Sequence, residues 1–486
     1  MPGDPGSKFL FDPAPIYCLN CIKEGEYFVA KKGGYGIIEY KIGAGLKFLQ
    51  MADVKKTVLF DRHAALAGKA QLVPFAGWMM PLWYKSISAE HEAVRKTAGL
   101  FDCTHMAVLK ITGKNAADFL NILTTNDVSR LKPGKAQYSY ILNSAGDIID
   151  DCFVYCISDN DFMLVANAAN EQKVKDWIGT VRSEHIQCDD SWQVDVADLK
   201  DESLPDARVD IALQGHASAQ CLKSIFNVEI EGLKFSTFIQ GEAEGVNVII
   251  AATGYTGAKV AFELFVHPNR AGQLWDLILE KGKALGIVPC GLGARDSLRI
   301  EAGLPLYGHE LAGDFNISPF QAGYGWAVKL QKENFTPTPI PTDRTILESP
   351  EKDSSAQSSI KSQSKLVCGF IGKKAVAKKA ADFDTEVARL KFSGEKGVRP
   401  IRQLDGILNT DGRCIGYCLS SAAAGDKQIV LALIKKEYNT AGKIVGVYYL
   451  ARNAGHIQQG RKERVIIGDL LTADIDGQVV ERFEKF

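Results

Sequence analysis

Long apolar runs are missing from this chain. Nowhere in its 486 residues does one approach the roughly 18 that a membrane-crossing helix needs. A basic surplus is missing too: 57 Lys+Arg stand against 58 Asp+Glu, a net charge of -1. A dedicated nucleic-acid binder would carry a basic excess, so neither nucleic acid nor membrane is an expected partner. Cysteine is thin for the length, eleven in all and an odd number. A disulfide scaffold is short and cysteine-dense, so most of these are expected as reduced thiols. The opening MPGDPGSKFLFDPAP has no cationic start before an apolar core, and no Arg- and Ser-rich amphipathic character. It resembles neither a secretory signal nor a transit peptide. The expected location is cytoplasmic, or the mitochondrial matrix in a eukaryotic cell.

Metal and phosphate signatures are absent as well. His63, His91 and His105 form no spaced ligand set, and no H-x-x-H or H-E-x-x-H occurs. His105 in FDCTHM reads as a hydrogen-bonded structural histidine. Cys18-x-x-Cys21 has no second pair at zinc spacing. Cys152/Cys156 and Cys414/Cys418 are four apart, which on a strand means one face but too great a separation for one tetrahedral site. No metal is expected. No G-x-x-x-x-G-K-[S/T] is present, and Gly291-Leu-Gly293 lacks the third glycine of a dinucleotide fingerprint.

What is present is ordinary globular composition, 46% hydrophobic and 24% charged. The length allows about three domains and a core large enough to fold without staples. Residues 1–56 read as an appendage of unassigned role, in which FVAKKGGYGIIEYK suggests two strands about a Gly-Gly turn. From 57 to 335 the pattern is dense. Helices are expected at Arg62–Ala70, Ser88–Ala98, Asn115–Leu123 and Glu171–Ile178. Strands are expected at Ala107–Thr112, Tyr138–Leu142, Asp147–Tyr155 and Phe162–Ala166. The turn Asn143-Ser-Ala-Gly146 makes a hairpin of the second and third strands. Mixed strands, helices and hairpins favour α+β over a doubly wound parallel sheet. Residues 336–367 change character: Pro, Ser, Thr, Lys and Gln dominate 336–365 and large apolar side chains nearly vanish. Such a stretch cannot offset its ordering entropy and reads as a flexible insert. From 368 to 486, short apolar runs alternate with Asp405-Gly406, Asp411-Gly412 and Asp476-Gly477, read as turns of a small β-barrel or sandwich. No internal repeat is visible.

Several segments then occur in one order. They are LFDRHAALAGKAQLVPFAGWMMPLWY (59–84), HEAVRKTAGLFDCTHM (91–106), TTNDVSRLKPGKAQYSYILNSAGDIIDD (124–151) and LVANAAN (164–170). LQG (213–215), TGYTG (253–257), GLGARDSLRIEAGLPLYGHEL (291–311), SPF (318–320) and GYGWAVKL (323–330) follow. Together they resemble the aminomethyltransferase family, the T-protein of the glycine cleavage system. FIGKKAV (370–376) and GRCIGYCLSSA (412–422) extend the resemblance more weakly. It implies a folate-binding α+β fold with ferredoxin-like parts and a small C-terminal β-barrel. It also implies a lipoylated H-protein as partner and tetrahydrofolate as co-substrate. Monomer or dimer is left open.

The chemistry implied is the transfer of a one-carbon unit from S–CH2–NH3+ on the carrier to folate, with release of ammonia. The carbon in transit is cationic, so a fixed carboxylate is needed beside it. By resemblance that is Asp151. From the residues alone, Asp150-Asp151 reads first as two turn aspartates with no chemistry, since acidic pairs near turns are common. Neighbouring strand residues face opposite ways, so one of the pair faces the site and the other is solvated or caps a turn. Glu263, by resemblance, holds the pterin edge. Family members read Glu-Asp-Gly-Phe-Glu after the GYTG turn, whereas this chain reads GYTGAKVAFE. One added residue in a strand would flip the side chain unless a bulge or longer turn absorbs it. Arg295 is implied for the anionic folate tail or a nearby acidic group, with Arg299 paired to Asp296 or Glu301. Met106, Tyr138, Tyr155, Val165, Asn167, Tyr255 and Trp326 are implied around the ring, each equally readable as core. Gln321 stands where the family commonly has Glu, and so removes a charge near the expected site.

Two other functions share this scaffold. One is a folate-dependent demethylase of a small O-, N- or S-methyl substrate, favoured by the altered 258–263 stretch and Gln321. The other is a non-catalytic folate-binding regulatory protein, opposed by the presence of Asp151.

Overall fold

The structure is a computed structural model. It describes residues 37–42, 45–50, 54–66, 71–185, 192–332 and 369–484. Cys18 and Cys21, the Gly33-Gly34 turn and the stretch 336–365 lie outside the described residues. The strands Ile37–Ile42 and Gly45–Gln50 pair antiparallel, so this pairing lies after the Gly-Gly turn that was expected to carry it.

Two mixed layers build the centre. In the first sheet the order is Asp195–Asp198, Ala107–Thr112, Asp161–Ala166, Ile148–Ser158, Lys135–Leu142, all antiparallel. Helices Ala116–Leu123 and Glu171–Thr180 complete it. In the second sheet the order is Phe238–Ala243, Val246–Ala251, Ala261–Val266, Val209–Gln214, Gly99–Asp102, Val288–Cys290. Helices Ser218–Ile225 and Pro268–Gly282 accompany it.

The two units repeat one plan. Each runs strand, helix, three strands, helix, strand, and in each the first strand lies beside the fourth. In the second unit Gly99–Asp102 is inserted between the first strand and the last, pairing antiparallel with one and parallel with the other. The expectation of no internal repeat is corrected. The repeat is one of connectivity, carried by different residues, and leaves no periodic wording in the sequence.

The C-terminal part is a closed barrel in the order Thr385–Ser393, Lys427–Lys435, Cys414–Ala424, Gly406–Leu408, Ile444–Tyr448, Ile475–Val480. Of the two shapes expected, closure selects the barrel, which leaves no sheet edge unpaired. Asp476-Gly477 is not a turn. It sits inside the last strand, with Gly477 opposite Val445 and Phe392. A Cβ on Gly477 would stand 2.4 Å from the Phe392 ring, so this glycine serves close approach of a neighbour rather than chain reversal.

Local sequence explains the elements that carry the site. The hairpin Lys135–Leu142/Ile148–Ser158 closes through Asn143, whose Oδ1 accepts the Asp147 N–H at 2.9 Å, and through Gly146 at φ 74°. Helix Ile87–Lys96 starts on Ser86, whose hydroxyl accepts the Ala89 N–H at 3.2 Å. Helix Leu292–Glu301 has no side-chain cap of its own at Gly291. Glu90 supplies one from the neighbouring helix. Only 2% exposed, it accepts N–H bonds from Tyr84 at 2.6 Å, Lys85 at 2.8 Å and Gly291 at 2.8 Å. Gly291 itself presses on Leu82, whose carbonyl oxygen would lie 2.4 Å from an added Cβ. The Gly291-Leu-Gly293 segment is thus a packing contact.

Glu90→Ala should leave three backbone donors without an acceptor. At about 1–3 kcal/mol for each unsatisfied group, we expect the unfolding free energy to fall by about 3 kcal/mol or more in a urea titration. A loss under about 1 kcal/mol would mean water or a local shift replaces the carboxylate.

Candidate functional site

Asp151 projects from strand Ile148–Ser158. Its Oδ2 accepts the Tyr138 hydroxyl at 3.0 Å, and its Oδ1 accepts Asn167 Nδ2 at 2.9 Å. Burial raises its pKa, while the Tyr138 and Asn167 donors and the Arg295 charge work against the rise. Asp150, expected to be solvated or to cap a turn, is fully buried. It accepts Asn167 N–H and Nδ2 at 2.8 Å each and Asn170 Nδ2 at 2.7 Å. The chain leaves strand Asp161–Ala166 beside the aspartates and folds Asn167–Asn170 over them, supplying donors where water would otherwise be. Burial, with the charge of Asp151 added, pushes Asp150 well above the usual carboxylate range. Asp150 and Asn170 were missed as site residues. The signal that could have found them is N-A-A-N directly after an apolar strand, two amides needing acceptors.

Tyr138 joins Asp151 to an aromatic rim. It meets Tyr324 edge-on at 5.4 Å and Phe153 at 5.6 Å, and lies tilted 6.0 Å from Trp326. Trp326 is 54% exposed, so it belongs to the mouth rather than the core.

The second half of the site comes from the other sheet. Glu263 stands opposite Ala212 on one side and Ala251 on the other, in strand pairs without a bulge at that point. The stretch 252–260 before this strand is irregular, and the strand itself puts Glu263 on the cleft face. Its Oε2 accepts Thr253 Oγ1 at 2.5 Å and the Tyr155 hydroxyl at 3.1 Å. Tyr155 thereby links the two sheets. It and Val165 are buried in the shared core with Phe238, Ile249 and Phe265, and Met106 packs at its margin.

Tyr255 donates its hydroxyl to Pro305 O at 2.5 Å and lays its ring 4.9 Å beneath the Arg295 guanidinium. Arg295 and Glu263 line one cleft with Tyr255, Thr256, Gln214, Ala212, Cys103 and Phe101. Among the described residues no ion pair to Arg295 is formed. Burial opposes its charge, and Cys103, Tyr255, Glu263 and Asp210 outweigh that opposition and keep the cation.

Arg299 differs. It is 1% exposed and bonds Asp296 at 2.9 Å, Glu310 at 2.6 Å and Ser420 at 3.0 Å. Of its two expected partners Asp296 is found. Glu301 is replaced by Glu310, because Glu301 is already taken by His91 at 3.0 Å and Arg95 at 2.7 Å. Gln321 is corrected too. It does not line the cleft; its Nε2 donates to Thr385 Oγ1 at 3.0 Å, at the barrel. His105 is buried with Nδ1 unpartnered, packs edge-on against Phe75 at 5.8 Å, and burial drives its pKa down to about 3. His63, 2.7 Å from both Asp102 and Tyr84, and His91, 2.8 Å from Ser297 and 3.0 Å from Glu301, are hydrogen-bonded through both ring nitrogens.

Among the described residues no cluster of three or more His, Cys, Asp or Glu could hold a metal ion. No described helix is long and apolar enough to cross a membrane. The arrangement is a carboxylate held by Tyr138 of an aromatic rim and, within its electrostatic reach, a cleft that holds Glu263 and an Arg295 cation with no ion-pair partner among the described residues.

Comparison with known proteins gives the family and the fold that the chain resembles. Residues 59–332 match the family model for the GCVT N-terminal domain. An aminomethyltransferase of Desulforamulus reducens is 42% identical over 285 residues, covering 59% of this chain and 73% of that protein. An aminomethyltransferase of Desulfitobacterium hafniense strain Y51 is 35% identical over 399 residues, covering 82% of this chain and 94% of that protein. The crystal structure of glycine cleavage system aminomethyltransferase T from Bartonella henselae superposes with a TM-score of 0.66 at 25% identity, covering 89% of this chain and 99% of that one.

Proposed function

The chain belongs to the aminomethyltransferase family, and on that premise we propose that it moves the one-carbon unit of glycine cleavage from an aminomethylated, lipoylated H-protein to tetrahydrofolate, releasing ammonia. It is a one-carbon transferase. The observation that carries the folate reading is the unpaired Arg295 cation and the open Glu263 oxygen in one cleft, with Asp151 near enough to act electrostatically on both Arg295 and Tyr255.

The fit to a reduced folate is chemical. A pterin edge offers N–H donors, which Glu263 accepts. Arg295 lines the same cleft as Glu263, which acts electrostatically on it, so it supports the acidic group that holds the pterin; the glutamyl end of the folate, at the far end of the molecule, extends beyond this cleft. Folate supplies the nucleophilic nitrogen. In the transfer the C–S bond to the carrier breaks, leaving a thiol on the lipoyl arm and a cationic CH2=NH2+ carbon that Asp151 stabilises; two folate nitrogens bond that carbon, ammonia leaves, and Asp151 takes the proton that the attacking nitrogen gives up. Tyr138 and Asn167 hold that carboxylate in one orientation, so little reorganisation is needed as charge develops. The rim of Tyr138, Tyr324 and Trp326 offers an apolar mouth for a lipoyl arm.

No observation favours the demethylase reading. Gln321, one of its two supports, is at the barrel, and the altered 258–263 stretch leaves Glu263 in register. The non-catalytic reading has none either, since Asp151 keeps its donors. The test is formation of methylene-tetrahydrofolate from glycine with lipoylated H-protein and the decarboxylase present. We expect turnover that depends on all three. Turnover of methylated small molecules without H-protein, and none with it, would replace this reading by the demethylase.

A further inference from the structure

Asp210 is a buried acid to which the mechanism above gives no task. It is 2% exposed, and its Oδ1 has no hydrogen-bond partner among the described residues. An unpaired carboxyl oxygen in a core is destabilising, and a native structure that keeps one calls for a reason.

Its position supplies the reason. In strand Val209–Gln214 successive side chains alternate in direction. Val209, Ile211 and Leu213 pack into the helix-covered core. Asp210 shares the other face with Ala212 and Gln214, both of which line the cleft. Glu263 stands directly opposite Ala212, which makes Asp210 its diagonal neighbour, within reach of a carboxyl side chain. The charges agree: after burial, Glu263 is the largest influence raising the Asp210 pKa, and Arg295 pulls the other way.

The remaining acceptors can be counted. Glu263 Oε2 takes two hydroxyl donors, from Thr253 and Tyr155, which fills both of its lone pairs. Gln214 Oε1 accepts Thr256 Oγ1, and Gln214 Nε2 donates to Phe262 O. Glu263 therefore offers a ligand one oxygen, Oε1. The aminopyrimidine edge of a pterin presents two parallel N–H donors, and a carboxylate with both oxygens free would take both. Here a second acceptor is required.

We infer that Asp210 is that second acceptor, so that Glu263 Oε1 takes one N–H of the pterin edge and Asp210 Oδ1 the other. The inference rests on the folate reading of this cleft. The Asp210 carboxyl already accepts the Leu264 N–H; its Oδ1 is left without a partner because the ligand completes it.

The test uses the full chain, Asp210→Leu and Asp210→Asn, with two ligands in titration calorimetry: tetrahydrofolate, and p-aminobenzoylglutamate, which lacks the pterin. We expect Asp210→Leu to melt close to the parent without ligand, since removing a buried acid with one unsatisfied oxygen offsets the loss of its bond from the Leu264 N–H. It should bind tetrahydrofolate at least about tenfold more weakly, or 1.4 kcal/mol, and bind the pterin-free fragment as the parent does. Asp210→Asn, nearly isosteric, should weaken tetrahydrofolate at least about threefold, or 0.65 kcal/mol, and serves alone if the leucine variant does not fold. Parental affinity in the variants, or equal weakening of both ligands, overturns the inference and leaves the folate reading standing. A parent chain that does not bind tetrahydrofolate overturns both.

Discussion

Asp151→Asn should abolish aminomethyl transfer while folate affinity stays within about tenfold, or 1.4 kcal/mol. The asparagine has the same shape, and its carbonyl can still accept the Tyr138 hydroxyl that Asp151 accepts at 3.0 Å. What goes is the negative charge beside a cationic carbon, together with the site for the proton. Proton transfer by a placed side chain contributes about 10²- to 10⁴-fold, and loss of charge stabilisation adds to that. The measurement is kcat for methylene-tetrahydrofolate formation together with a folate Kd from calorimetry. Turnover equal to the parent would take Asp151 out of the mechanism. A collapse in folate binding with kcat preserved would make it a binding residue instead.

The largest loss of stability is expected from Arg299→Ala. Arg299 is 1% exposed and Glu310 fully buried, 2.6 Å apart. Removing the guanidinium leaves a carboxylate without its counter-charge inside the protein. Breaking one half of such a pair costs about 3–5 kcal/mol, chiefly for the stranded charge. The bond from Arg299 to Ser420 at 3.0 Å is also lost, and it ties helix Leu292–Glu301 to barrel strand Cys414–Ala424. We therefore expect the barrel to loosen first, read as faster proteolysis within 385–480 and a lower urea midpoint. Combining Arg299→Met with Glu310→Gln should recover part of the loss, because it removes the stranded charge as well. No recovery in the double variant would show that the cost lies in shape and the Ser420 bond rather than in charge.

These two residues mark how far the chain could be read. Asp151 was legible because its setting is local: a turn by composition, an apolar strand and an acidic pair, together with ordered family wording. Arg299 was half legible. Asp296 is three residues away on the same helix, whereas Glu310 and Ser420 reach it only after the chain has folded back. Glu90 was not singled out at all, since its acceptor role depends on Gly291, 201 residues on. Asp476-Gly477 misled because the pair is as usual in a turn as at a crowded point of a barrel strand. Glu263 turned on a single residue, and which face it takes could be decided only by the pairing of Ala212 and Ala251 around it.

Composition, ordered motifs and strand–helix alternation by themselves determined the α+β class, the family and the all-β character of the C-terminal region, and singled out Asp151 as the carboxylate to propose, because each rests on neighbours within a few residues or on wording in series. Only the tertiary structure decided that Asp150 is buried under Asn167 and Asn170, that among the described residues Arg295 forms no ion pair, and that Asp210, on the same strand face as the cleft-lining Ala212 and Gln214, has one oxygen without a partner. It alone revealed that two units share one strand order. The physical reason is the same in each case. Burial and hydrogen-bond satisfaction are properties of surfaces brought together from distant parts of the chain, and one-dimensional order carries no record of which surfaces will meet.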